Sequence, residues 1–287
     1  MTERIECTLA ALNLHPIKSC AAVPVDEALL IETGLQLDRA WMVVDDQGRM
    51  LTQRQWPRLA LVQIRLRQDD MVLRAPGMLA LHVHLDQVEA PARAQVWRDE
   101  VAAYDMGALA AQWFSDFLGS PVRLVRFDPE QRRLADPHWC GEVQAEVAFA
   151  DGFPLLVAST ASLAALNGRL AAQGVAAVGP ERFRANLWLD GLQPHDEDRI
   201  GDIRIEAEAG PVHIRLVKPC VRCPIPNIDP ATGVRGTEPG QTLAGYRTDA
   251  RMNGGITFGM NAVIVDGVDR VLRSGQRAQA LVSSLAP

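Results

Sequence analysis

The chain has 287 residues, 48% of them hydrophobic and 22% charged, with a formal net charge of −6. Such a composition excludes a disordered or disulfide-stapled chain, and the negative balance gives no global attraction to nucleic acid or anionic lipid. The length fits two packed domains or one large β-rich domain.

The opening segment "MTERIECTLAALNLHPIKSC" lacks the basic region, continuous apolar core and cleavage site of a secretory leader. No apolar run approaches the ~20 residues that a membrane span needs. Five cysteines, at positions 7, 20, 140, 220 and 223, make an odd, scattered set that matches no disulfide framework and suits a reducing compartment. The expectation is a cytoplasmic protein with neither membrane nor nucleic acid as a partner.

In chain order, period-two patterns come first. Leu12, Leu14 and Pro16 alternate with Asn13 and His15, and Leu79, Leu81, Val83 and Leu85 alternate with Ala80, His82 and His84; both read as strands with one buried face. Asp45–Gly48 reads as a turn joining "AWMVV" to "MLTQR", and Asp69-Asp70 as one joining "VQIRLR" to "MVLR", so the region reads as a meander. From Met106 to Leu118 the spacing of Leu109, Trp113, Phe114 and Phe117 turns helical, and Gly119 stops it. The proline-punctuated, charged segment "VRFDPEQRRLADPHWCGE" then reads as a crossing between domains. Ser159 or Thr160 caps a second helix through Leu163, Leu166 and Leu170, which ends at Gly174. Short β-biased runs around residues 182–191, 199–208, 212–220 and 259–267 follow, pointing to a barrel or sandwich. The predicted fold class is mainly β with a few helices (α+β), divided as an N-terminal β-barrel-like domain over residues 1–125 and a β-barrel domain over 126–287.

Chemistry concentrates in "RLVKPCVRCPIPNIDPATG", which holds Cys220 and Cys223. A structural zinc site needs about four ligands, commonly as two pairs; here there is one pair, with His138 and Cys140 some eighty residues away. A redox dithiol wants its Cys-x-x-Cys at a helix start, which Pro224, Pro226 and Pro230 oppose. Two readings stay open from the residues alone: a single thiolate ligand for a soft metal on a rigid loop, with Lys218 and Arg222 as nearby counter-charges, or two small buried core residues.

The chain resembles the molybdenum-cofactor sulfurase C-terminal (MOSC) domain family, most closely the branch of the amidoxime-reducing components and their bacterial relatives. Six segments in order carry the resemblance: "HPIKSC", "LDRAWMVVDDQGRMLTQRQWPRLALV", "AAQWFSDFL", "FADGFPLLVASTASLAALN", "RFRANLWLDG" and "CVRCPIPNIDPATG". It implies molybdenum cofactor bound between the two domains. It also implies Cys223 as the molybdenum ligand, with Cys220 structural. Lys18, Ser19 and Arg39 would then hold the cofactor phosphate, a grouping of ammonium, hydroxyl and guanidinium donors that suits a dianion. Arg184, Asn186, Asp151 and Arg222 would contact the rest of the pterin.

The family commonly has small hydroxyl residues where Pro226-Asn227 stand here, and no cysteine follows Cys223 to build the iron–sulfur domain of some relatives. The resemblance therefore implies a reductase of small N-hydroxylated compounds fed by a separate electron-transfer protein of flavin, haem or iron–sulfur type. A persulfide sulfur carrier on Cys223 and a molybdenum-cofactor carrier are the alternatives.

Overall fold

A computed structural model describes residues 3–283. Seven strands close into a barrel: β1 (Arg4–Leu14), β2 (Leu155–Ser159), β3 (Leu187–Asp190), β4 (Ile200–Ile205), β5 (Val212–Val221), β6 (Gly255–Asp266) and β7 (Arg277–Val282). Their order around the barrel is β2-β3-β1-β7-β4-β5-β6, and β6 returns to β2 through the antiparallel pairing of Leu155 with Ala262. Closure leaves no edge among these seven strands, which removes the usual route to edge-to-edge association.

Strand β1 carries the first residues of the chain yet pairs with β3 and β7, both built from the second half. Inward-facing Leu9, Leu12, Leu187, Ile203, Ile214 and Ala280 are all within 1% of complete burial. Strands β2 and β3 are parallel, and the crossover between them is the helix α2 (Thr160–Ala172). Its ends follow the sequence signals: Ser159 accepts from the Ser162 backbone N–H at the N-terminus, and Gly174 takes φ +71 just beyond the C-terminus.

Of the rest of the first half, Glu27–Ile31 pairs with Val271–Arg273 and packs Ala28 and Leu30 into the barrel's core, while a second core gathers around Trp41, Phe114 and Phe117, all buried, with the helix α1 (Ala108–Leu118) closing it and Gly119 left-handed after it. One sheet orders Trp41–Val44, Arg123–Phe127, Asp99–Asp105 and Ala90–Val96; another orders Gln63–Leu66, Asp70–Arg74 and Leu81–His84. The hairpin expected at Asp69-Asp70 is present, pairing Leu66 with Met71. "MLTQR", expected as a strand, makes only an isolated bridge from Met50 to Val44 before turning away, as Gln53 turns to the loop at residue 19 through its backbone N–H and its side chain. His15, read as the outward member of an alternating strand, lies past the end of β1 and is completely buried. Among the described residues no helix is long and apolar enough to cross a membrane.

Candidate functional site

An open cleft with an empty volume of about 850 Å³, mouth included, lies where the two halves meet. The first half contributes Lys18, Ser19, Arg39, Thr52 and Arg54; the second contributes residues 150–153, 155–156 and 220–223 with Phe183, Arg184, Asn186, Ile225 and Asn261. All eight residues singled out above as cofactor or metal contacts line it: Lys18, Ser19, Arg39, Asp151, Arg184, Asn186, Arg222 and Cys223. Lys218 does not; its ammonium lies over the rings of Trp139 and Phe153 at 5.0 and 5.9 Å.

Three of these residues hold backbone conformations that L side chains rarely adopt: Ser19 at φ 68, Arg39 at φ 49 and Arg184 at φ 57. Each such conformation costs on the order of 1–3 kcal/mol and persists only where the surroundings over-determine it. Here the surroundings are visible. Gln53 grips Ser19 twice, donating its Nε2–H to the Ser19 carbonyl at 2.6 Å and its backbone N–H to Oγ at 3.3 Å. The Arg39 backbone N–H donates to the His15 carbonyl, and its own carbonyl accepts from Phe149.

Side-chain contacts weld the cleft walls together. Arg39 donates to Asp38 through one guanidinium nitrogen, which also reaches Asn186 Oδ1 at 3.0 Å, while the other reaches the Arg184 carbonyl at 2.9 Å. Asn186, 1% exposed, also donates to the Asn13 carbonyl and accepts from the Leu156 N–H. Arg184 donates to the Cys20 carbonyl at 2.6 Å. Burial and the nearby Arg39 lower the Arg184 pKa to about 10.

Lys18, 6% exposed, directs its ammonium at the Phe149 carbonyl and at Asp151 Oδ1, 2.7 and 2.5 Å away. Two of its three N–H groups are thereby used and one is left for a ligand. Burial lowers its pKa, with Asp151 acting against the shift. The Asp151 side chain is 61% exposed; desolvation works against its charge, but Lys18 and then Arg54 outweigh that and hold the carboxyl below its ordinary range.

The two cysteines part company here. β5 meets β6 with register shifts at Leu216/Lys218 and Pro219/Val221, irregularities that re-aim the strand end carrying Cys220. The Arg222 guanidinium donates to Cys220 Sγ at 2.9 Å and to the Phe183 carbonyl at 2.8 Å. Cys223 follows on the loop, half-buried, as a free thiol on the cleft wall, and the 3₁₀ turn Ile225–Asn227 comes directly after it. Cys140 is 2% exposed in a separate apolar cluster, away from this pair.

Several site residues were not visible in the sequence. Arg133, 8% exposed, came from the segment read as a plain crossing; it donates to the carbonyls of Ala148 and Ala150 at 2.9 and 2.7 Å and so shapes the loop that presents Asp151. Arg54 and Phe183 carried no signal beyond their place beside motif residues. Asp38 adjoins Arg39, so an acid next to a predicted anion-binding arginine was the clue available.

Five cations line the cleft against a single carboxylate: Lys18, Arg39, Arg54, Arg184 and Arg222 against Asp151. This donor set suits a polyanion, and Arg222 Nε is buried with no partner of its own. A thiol, an ammonium, a hydroxyl and several guanidinium forks around one cavity fit a phosphorylated cofactor with a soft metal.

Comparison with known proteins points the same way. Residues 6–121 match the MOSC N-terminal beta barrel domain and residues 144–280 match the MOSC domain. The chain is 36% identical over 251 residues to "Mitochondrial amidoxime-reducing component 1" of Homo sapiens, covering 84% of this chain and 72% of that protein. It is 35% identical over 250 residues to "Mitochondrial amidoxime reducing component 2" of Bos taurus, with the same coverage. "Molybdenum cofactor sulfurase" of Homo sapiens is 32% identical over 268 residues, covering 87% of this chain and 29% of that much longer protein.

Proposed function

This chain belongs to the MOSC domain family, and from that premise we propose that its cleft holds molybdenum cofactor and reduces small N-hydroxylated compounds. The observation that carries the reading is the convergence of Lys18, Ser19, Arg39, Arg184 and the Cys223 thiol on one cation-rich cleft. The names of the relatives supply the amidoxime class and the cofactor.

The net reaction breaks the N–O bond: R–NHOH, two electrons and two protons give R–NH2 and water. When bound, the cofactor would supply the two-electron chemistry. The chain's residues hold and shield. Lys18, Ser19 and Arg39 would bind the phosphate, the first through its remaining N–H, while Arg184, Asn186 and Arg222 would hold the pterin side. Cys223 would be the metal's protein ligand. Asp151 keeps Lys18 in place through their 2.5 Å ion pair. The Arg39, Asp38 and Asn186 contacts keep the phosphate wall from relaxing when a ligand leaves, the preorganisation that binding by fixed donors requires. Electrons would come from a separate electron-transfer protein.

The test is to purify the protein from a host that makes the cofactor, measure molybdenum and pterin, and follow amidoxime reduction with a chemical electron donor. Stoichiometric molybdenum with turnover that vanishes in Cys223→Ala is the expected result; full turnover in that variant overturns it. The likeness to a cofactor sulfurase supports a second reading, in which Cys223 carries persulfide sulfur. A persulfide on Cys223 in metal-free, inactive protein would select it.

A further inference from the structure

Trp97 stands where a glycine would be expected. Val96 pairs with Asp99, so Trp97 and Arg98 form a two-residue hairpin loop, and Trp97 takes φ 57 at its first central position. Two-residue hairpins whose first central residue has positive φ favour glycine, asparagine or aspartate there, because a side chain in that conformation is strained. This large residue also stays 45% exposed. Neither turn chemistry nor core packing accounts for it.

Its contacts point to the cleft. The indole Nε1–H donates to Asp151 Oδ1 at 3.2 Å, the oxygen that also pairs with Lys18. The Arg54 guanidinium lies 4.6 Å from the ring centroid, covering one face. Gln95 donates to the Trp97 carbonyl at 3.0 Å and pins the turn. Arg54 and Asp151 both line the cleft; Trp97 is not itself a lining residue, but these contacts fix the indole beside the cleft by one edge and one face, with 45% of the residue exposed.

We propose that Trp97 is a stacking platform at the cleft mouth that selects planar, aromatic N-hydroxylated ligands over aliphatic ones of the same head group. A rigid indole offers a large contact area at little conformational cost, and stacking rewards a flat partner far more than a puckered one. The inference rests on the reductase reading for the identity of the head group, and on the hairpin geometry for the platform itself.

The test measures calorimetric affinity of the cofactor-loaded protein for benzamidoxime and for cyclohexanecarboxamidoxime, which share the amidoxime and differ in ring planarity, with turnover followed in parallel. Trp97→Gly deletes the indole while suiting the backbone, since glycine adopts φ near 57 without strain. The benzamidoxime-to-cyclohexyl affinity ratio should fall about tenfold in Trp97→Gly and stay within about twofold of wild type in Trp97→Phe, which keeps a flat face. Should Trp97→Gly fail to fold, Trp97→Leu takes its place with the same expected fall. An unchanged ratio overturns the platform. So does an equal loss for both compounds, the signature of a residue that only props Asp151, and so does a wild-type protein with no preference or no binding. Selective binding that depends on Trp97 in a protein without turnover upholds the platform and removes the reductase reading instead.

Discussion

Replacing Asp38 by asparagine tests whether the Arg39 wall of the cleft is held electrostatically. The Asp38 side chain is 1% exposed and contacts Arg39, the His15 backbone N–H at 2.7 Å and the His15 ring at 3.5 Å. Burial pushes its pKa up, but Arg39 foremost, with help from His15, holds it down to about 2 against an ordinary 3.8. At ~1.4 kcal/mol per pH unit, that difference is worth about 2 kcal/mol of stability at neutral pH. The folded pKa lies below the unfolded one, so the contribution is complete well above pH 3.8 and disappears as the pH falls through 2; at pH 3 about 1 kcal/mol remains. Asparagine keeps an oxygen for the His15 N–H but leaves Arg39 without its counter-charge. Asp38→Asn should therefore melt about 4–8 °C below wild type at pH 7. The gap should narrow to roughly half at pH 3 by thermal or urea unfolding. Equal stabilities at pH 7, or a gap that does not change between pH 7 and pH 3, would refute the electrostatic account.

Other substitutions probe separate parts of the structure. Cys223→Ala should lose bound molybdenum, while Cys220→Ala should keep it; metal analysis showing the opposite pattern would move the ligand to Cys220. Arg39→Ala should lower pterin content severalfold, read as fluorescent oxidised pterin per mole of protein, because it removes a phosphate donor and frees Asn186 at once. Gly34 sits at φ +118, and a Cβ there would lie 2.5 Å from the Pro154 carbonyl oxygen. Gly34→Ala should cost more than about 2 kcal/mol in denaturant unfolding and shift the loop of residues 151–154, weakening cofactor retention; a variant as stable as wild type would show that this loop yields easily.

Where local chemistry decides the structure, the sequence was readable. Helix α2 was framed by Ser159 and Gly174, and the hairpin through residues 63–74 by its aspartates, because caps and turns act within a few residues. Lys18, Arg39, Asp151, Arg184 and Cys223 were found through family motifs, whereas nothing in their spacing says that they share one cleft. His15 was misplaced because alternation continues past the end of β1, where the chain has already turned into the core beside Asp38. Trp97 carried no periodic or motif signal at all; its meaning lies in the mismatch between a bulky side chain and a turn position, and that needs the backbone angle. Which of the two sulfurs Arg222 meets was not legible, because sequence distance cannot tell which way a bulged strand end faces.

The place of β1 also sets a timetable. Arg4 pairs with Leu281, so β1 finds one of its two long-range partners only after all the chain between them has been made. At roughly 5–20 residues per second, that interval is some tens of seconds. Throughout it, the apolar stripe of Cys7, Leu9, Leu12 and Leu14 has no barrel to enter, although the neighbouring core around Trp41 and Phe114 can assemble from residues already emerged. Strand β7 thus acts as the clasp of the barrel, and a nascent chain stalled before residue 277 would present an open seam beside β1 for other strands to occupy.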